Sequence, residues 1–401
     1  MPVAPKTRVL MYSHDTFGLG HLRRTRTIAH ALVEKHKGLS VLIICGSSIA
    51  GAFDFKSRVD FVKVPSVIKL RNGDYSSLSE HIDIACTLEM RRAIIEQAAV
   101  NFDPDYFIVD KEARGLRREL DPTLPRLRAM GCRMVLGLRD VLDEPEVVAA
   151  EWGKAEIATC VGAFYDDIWV YGSRDFGDPL EGLDLSAAIK RKISYTGFLA
   201  RTVPRIKNLR TLALPQEFVL VTAGGGGDGF DLMSQVLAAK ELDRANRDAY
   251  VLVPGPFMKL SEKADVRRRA ARLEGVHVVD FDSHIEMLMK RAVAVISMGG
   301  YNTFCELMSF DKRVLIVPRV VPRKEQLIRA RRAASFGLID LIEPHDAAVP
   351  ERMAAAMAAL VRRPLPSTLP YRIDLGGLDK ITAMVTPGRR ADAAERQAVS
   401  A

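Results

Sequence analysis

Short apolar runs alternate with longer amphipathic stretches through the first half of the chain. Arg8-Val-Leu-Met-Tyr-Ser13 is one such run, and the spacing of Ile28, Ala31, Leu32 and Lys35 predicts a helix over 21–37. Further strands are expected at 40–45 and 61–65, then a long helix over 78–100, then strands at 106–109, 133–138 and 168–171. Strand and helix in alternation imply parallel βαβ units with helices on both faces of a sheet.

The pattern starts afresh in the second half. Glu217-Phe-Val-Leu-Val-Thr222 reads as a strand and runs into Ala223-Gly-Gly-Gly-Gly-Asp-Gly229. Helices are expected over 230–241, 261–273, 283–290 and 324–335, with strands at 249–253, 276–279, 293–296 and 314–317. A polar, proline-bounded linker at 201–215 separates the two series. The expected organisation is therefore α/β, with two Rossmann-like doubly wound domains facing across a cleft. Their expected bounds are 1–205 and 206–365, followed by a carboxyl-terminal segment 366–401 that ends in a polar, Ala-rich, disordered tail. No short-period repeat is present.

Composition narrows the class. The chain has 401 residues, 48% of them hydrophobic, which suffices for two cores and excludes global disorder. The net charge of +8 fits an anionic partner but is also ordinary surface charge. The basic residues are dispersed and lack aromatic interleaving, which argues against nucleic acid. Five cysteines (Cys45, Cys86, Cys132, Cys160 and Cys305) are scattered without a Cys-x-x-Cys pair, so reduced thiols and a cytoplasmic setting are expected. No apolar stretch is long enough for a signal core or a membrane span; peripheral contact at the inner face of a membrane stays compatible.

Four loops carry candidate chemistry. Thr16-Phe-Gly18-Leu-Gly20-His21-Leu-Arg23-Arg24 opens the first helix. His21 lies near the positive end of that helix, which disfavours its protonation and suits a general base. Arg23, Arg24 and Arg26 read as a solvated face, with an acceptor phosphate as the functional option, and His14 and Asp15 as orienting or capping residues. Gly224, Gly225 and Gly226 follow a buried strand and suit a phosphate nest, or simply a flexible turn. Ser297-Met-Gly-Gly-Tyr-Asn-Thr-Phe-Cys-Glu306 reads as a strand end, a Gly299-Gly300 turn and a helix start. A helix start presents partial positive charge to an anion, so a phosphate is expected there, with Thr303 donating and Glu306 reaching a sugar hydroxyl. Asn302 is expected near the helix cap. The fourth loop, 318–330, holds Glu325 and Gln326 at a strand end, where ligand loops of open α/β sheets lie. Asp280-Phe-Asp282 has a metal-diphosphate spacing but precedes Ser283, and reads as a loop and helix cap. No metal site and no cofactor is expected.

In this order the four loops resemble the GT-B glycosyltransferases, and most nearly glycosyltransferase family 28, typified by the peptidoglycan N-acetylglucosaminyltransferases. The resemblance is strongest over 218–337, where Ser297 to Glu306 is similar to the family's Ser-x-x-Gly-x-x-Thr-x-x-Glu helix. It implies a ribose contact for Glu306, diphosphate contacts for Gly300 and Thr303, and donor-sugar contacts for Glu325 and Gln326. In the first half, Gly18-x-Gly20-His21 resembles the family's Gly-His loop, but Thr16 and Phe17 stand where the family has a Gly pair, and 137–143 departs as well. A separate branch of the family is implied. The expected activity is transfer of a sugar from a UDP-sugar to an acceptor hydroxyl, metal-independent and with inversion. Gly18, Gly20 and Arg23 would face a glycan or lipid-linked acceptor in cell-envelope or exopolysaccharide synthesis. A UDP-sugar 2-epimerase and a non-catalytic nucleotide-sugar-binding protein are the alternatives.

Overall fold

A computed structural model describes residues 6–14, 20–69, 74–79, 81–203, 214–225, 227–279 and 285–388. The chain divides into two compact units. The first comprises 1–174, 178–199 and 376–401, and the second 175–177 and 200–375. The carboxyl-terminal segment is thus split at Gly376, and residues 376–388 belong with the first unit. There Thr386 N–H donates to the hydroxyl of Tyr106 at 3.0 Å.

The first unit is built on strands β1 (Thr7–Ser13), β2 (Leu39–Cys45), β3 (Val59–Lys63), β6 (Tyr106–Asp110), β7 (Arg133–Arg139), β8 (Asp167–Tyr171) and β9 (Ile193–Tyr195). They form one seven-stranded sheet in the order β3-β2-β1-β6-β7-β8-β9. Every ladder in it is parallel. The centre is apolar on both faces: Val9, Leu10, Phe107, Val109, Met134 and Leu136 are all fully buried, as a sheet covered on both sides requires. A separate antiparallel hairpin joins β4 (Val67–Lys69) to β5 (Tyr75–Ser77). The helix expected over 78–100 starts and ends later, running Ile84–Phe102. Its start is set by Asp83, whose carboxylate accepts from Cys86 N–H at 2.7 Å.

The second unit repeats the plan with β10 (Val219–Thr222), β11 (Tyr250–Val253), β12 (Val276–Val278), β13 (Ala294–Ser297), β14 (Arg313–Ile316) and β15 (Asp340–Leu341). The order is β12-β11-β10-β13-β14-β15, again all parallel. Each sheet therefore has one place where the strand order reverses: β1 beside β6 in the first unit, β10 beside β13 in the second. Helices leave such a pair on opposite faces, so a crevice opens at the carboxyl ends of those strands.

One buried network holds the loop after β6 to β1. Arg91 donates from Nε and Nη2 to both oxygens of Glu119 at 2.7 Å. The Tyr12 hydroxyl donates to the same carboxylate at 2.6 Å and accepts from Leu116 N–H at 3.0 Å. All three side chains are essentially unexposed, Glu119 and Arg91 at 1%. Glu119→Gln keeps the shape but cannot accept all three bonds, so unfolding free energy should fall by about 1–3 kcal/mol. Urea denaturation would measure it, and an unchanged midpoint would contradict the network's role. Among the described residues no helix is long and apolar enough to cross a membrane.

Candidate active site

The first crevice gathers charge at the ends of β1 and β6. The helix Gly20–Lys35 follows β1 and carries His21 and Arg24 in its first two turns. Asp110 is the last residue of β6. The Nδ1 of His21 lies 2.5 Å from Asp110 Oδ2. Arg24 donates from Nε to Asp110 Oδ1 at 2.8 Å and from Nη2 to Oδ2 at 2.5 Å. An ionised carboxylate only accepts, so Nδ1 carries the proton and Nε2 keeps its lone pair. Asp110 is 3% exposed and Arg24 2%, whereas the His21 side chain retains 19% exposure. His14 is buried at the end of β1, its ring edge-on to that of His21 with centroids 5.5 Å apart.

The next strand makes room for this arrangement. Gly137 pairs with Asp110 across β6 and β7. A Cβ at Gly137 would stand 2.0 Å from the hydroxyl of Tyr171, so only glycine lets that ring lie across the strand. Lys111 follows Asp110 in the left-handed region, at φ 70°, with its N–H on Gly137 O at 2.8 Å. Left-handed backbone at a lysine is strained, and such strain concentrates at functional positions.

The expectation of a solvated arginine face fails at Arg24. It points inward because its guanidinium neutralises a buried carboxylate. Gly20 begins the helix and Arg23 is half-buried on it, while Gly18, Thr16, Phe17 and Asp15 lie outside the described residues. Asp110 escaped the sequence reading, although a carboxylate closing an otherwise apolar strand was the signal for it.

Burial pulls the His21 imidazole down to about 4, against Asp110, which favours its charged form. Burial also pulls His14 down to about 3 and His30 to about 3. Burial alone would raise Asp110, but Arg24 and His21 overcome it and hold the carboxyl well below its ordinary range. Glu112 is held low in the same manner, with Lys111 as the main opposing charge. The sign follows. An unfolded chain protonates these imidazoles near 6.5, whereas the folded chain resists until about 4 or 3. The unfolded state thus holds more protons between those values, and folding stability falls as pH drops through that window. The two depressed carboxyls act in the same direction. Unfolding midpoints should decrease steadily from pH 7 to pH 4, and a flat profile would contradict the burial of these groups.

The second crevice gathers glycines and amides. Ser297 ends β13, fully buried, and its Oγ accepts from Gly299 N–H at 3.3 Å. Gly299 has φ 74°, and a Cβ there would meet Ile316 at 3.0 Å, so both backbone and space require glycine. Gly300 caps the helix Tyr301–Ser309, whose first bond runs from Phe304 N–H to Gly300 O at 2.8 Å. Asn302 is not the cap. It lies inside the helix, where its Oδ1 accepts from Arg201 at 2.7 Å. Thr303 Oγ1 stands 3.6 Å from the Cβ position of Gly224, so the loop after β10 touches the helix start after β13. Gly225 shares that loop, and Gly226 lies outside the described residues, as do Asp280, Asp282 and Ser283.

The loop after β14 completes the ring. Gln326 Nε2 is 4.0 Å from the Cβ position of Gly300, and its Oε1 accepts from Arg319 N–H at 3.0 Å. The Arg319 side chain reaches Glu325 Oε1 at 2.6 Å and Asp228 Oδ2 at 3.1 Å. Arg329 donates to Gly299 O at 3.2 Å from a fully buried position. Gly224, Ser297, Gly299, Gly300, Thr303, Glu325 and Gln326 thus meet at the carboxyl ends of β10, β13 and β14. Glu306 differs from expectation in one respect. It is fully buried, on a helix whose residues Tyr301 to Met308 are all buried. Arg319 and Asp228 lie in the loops 318–330 and 223–229 but were not singled out, because their pairing joins segments 91 residues apart.

Residues 218–363 match the family described as the glycosyltransferase family 28 C-terminal domain. The matched stretch lies within the second unit. That stretch holds Gly224, Ser297, Gly299, Gly300, Thr303, Glu325 and Gln326 of the second crevice. An uncharacterized glycosyltransferase of Methanosarcina acetivorans is 25% identical over 138 residues, which is 34% of this chain and 34% of that protein. The match therefore spans about a third of the curated relative. Among solved structures, the glycotransferase of kitacinnamycin has a TM-score of 0.62 at 15% identity, over 99% of this chain and 100% of that one. MurG of Acinetobacter baumannii has a TM-score of 0.56 at 11% identity, over 98% of each chain. A protein of Listeria monocytogenes described as a UDP-N-acetylglucosamine 2-epimerase has 0.57 at 13%, over 95% and 92%. At these identities the likeness concerns the fold, and that fold is GT-B, with two parallel-sheet α/β domains.

Proposed function

We propose that the protein transfers a sugar from a UDP-sugar to an acceptor hydroxyl, with His21 as general base. The observation that carries the reading is the His21–Asp110 pair at 2.5 Å in a chain whose residues 218–363 match the family 28 C-terminal domain. With Nδ1 protonated toward Asp110, Nε2 can take the acceptor's proton, and Asp110 stabilises the imidazolium that forms. The attacking oxygen bonds to the anomeric carbon as the bond to the diphosphate breaks. Attack on the face opposite the leaving group inverts that centre.

In this reading the leaving diphosphate lies at the start of the helix Tyr301–Ser309, between the loops of Gly224 and Gly299. The helix dipole and loop amides meet its growing charge without a metal. Glu325 and Gln326 hold the donor sugar. The ribose contact assigned to Glu306 requires the buried carboxyl to become accessible when nucleotide binds. The domains in this reading are 1–205 for the acceptor and 206–365 for the donor, with Gly18, Gly20 and Arg23 toward the acceptor. We place the reaction in cell-envelope glycan synthesis at the cytoplasmic face of a membrane, on the strength of the family 28 domain.

A thermal-shift screen of nucleosides, nucleoside diphosphates and nucleotide sugars tests this directly, because a ligand that binds the folded state raises the melting point. UDP and one UDP-sugar should stabilise the protein by several degrees, and other nucleoside diphosphates by less. Absence of any nucleotide shift would overturn the reading. Release of epimerised or free sugar from the stabilising donor, with no acceptor added, would replace transfer by the epimerase chemistry.

A further inference from the structure

Arg319 stands where three loops of the second unit meet. Its backbone N–H holds Gln326, its Nη2 holds Glu325, and its Nη1 holds Asp228 in the glycine-rich loop after β10. These contacts are unequal. The bond to Glu325 is short, at 2.6 Å, and Glu325 is 4% exposed, whereas the bond to Asp228 is 3.1 Å and the Asp228 side chain is 35% exposed. Arg319 itself retains 27% exposure, so its guanidinium borders the crevice. The Arg319 Nε and the second oxygen of Glu325 are buried, with no hydrogen-bond partner among the described residues.

The charges around Arg319 are unbalanced. Asp228 and Glu325 place two carboxylates around one guanidinium, beside glycine loops suited to a phosphate. A diphosphate entering there meets net negative charge unless the guanidinium turns to it. Arginine suits that exchange because its planar fork can keep one carboxylate while offering other N–H donors to phosphate oxygens. We propose that Arg319 is the cation that meets the donor's diphosphate, giving up Asp228 for phosphate oxygens while Glu325 keeps it in place. Donor binding then frees the glycine-rich loop, which Asp228 ties down, from Arg319 at the moment phosphate arrives. This rests on the nucleotide-sugar reading above and assigns to its site a residue outside the motifs.

Calorimetry of the full-length protein with UDP and with uridine separates the outcomes. Arg319→Met should weaken UDP about tenfold or more, leave uridine within about twofold, and flatten the salt dependence of UDP binding. Arg319→Lys should recover part of the loss. Asp228→Asn removes the competitor and should tighten UDP, which a purely structural ion pair would not do. Equal losses for UDP and uridine in Arg319→Met, or unchanged or weaker UDP binding in Asp228→Asn, would overturn the assignment. Should Arg319→Met fail to fold, the lysine and Asp228 variants decide alone. A wild-type protein that binds neither ligand would instead remove the nucleotide-sugar reading itself.

Discussion

His21→Ala should lower turnover of the donor by about 100-fold or more while leaving the affinity for UDP unchanged. The argument starts from position. His21 lies in the first turn of the helix after β1, at the switch point of the first sheet, and its Nδ1 is tied to Asp110. That tie leaves Nε2 as the one basic atom of the ring. Burial holds the imidazole near 4, so it stays unprotonated throughout the neutral range and needs no activation. Loss of the ring removes the proton acceptor, whereas the residues proposed to hold UDP lie around the other crevice. UDP release from the donor selected by thermal shift gives the rate, and calorimetry gives the affinity. A variant with near-normal turnover would place the base elsewhere. A variant that also lost UDP binding would show that His21 serves the donor.

Asp110→Asn should cost about 10²–10⁴ in turnover, for a different reason. An asparagine can present its NH2 to Nδ1, which drives the ring proton to Nε2 and removes the lone pair. It also removes the negative charge that stabilises the imidazolium in the transition state. The loss should persist from pH 6 to pH 9, because it comes from tautomer and charge rather than from titration of the base. Arg24 would meanwhile keep its charge at 2% exposure with a weaker partner, so the variant should also be less stable, by about 3 kcal/mol. Turnover measured well below the melting point separates the two effects. A folded variant with normal turnover would reduce Asp110 to a structural counter-ion of Arg24.

The alternation of apolar runs and amphipathic stretches made most central strands legible, since each is buried on both faces and reads as an uninterrupted run. Val219–Thr222 and Ala294–Ser297 are examples. The hairpin Val67–Lys69 and Tyr75–Ser77 was not legible, because its short, half-exposed strands carry little periodicity. The helix Gly377–Met384 was hidden for a related reason: a helix of 8 residues whose burial comes from packing on distant parts of the chain leaves a weak local pattern.

For the sites, local sequence was enough to mark glycines and the residues just after strands. Gly299-Gly300, Thr303 and His21 declare themselves by sitting at strand-to-helix turns, where backbone conformation and helix dipole are short-range properties. Partnership is long-range. Asp110 is 89 residues from His21 and Asp228 is 91 from Arg319, and only the parallel order of the strands brings each pair together. Whether Arg24 faces water or a buried carboxylate, and whether Glu306 lies open or enclosed, depends on which neighbours the sheet supplies. Short-range chemistry was therefore written in the chain itself, while charge pairing and burial emerged when folding set remote segments side by side.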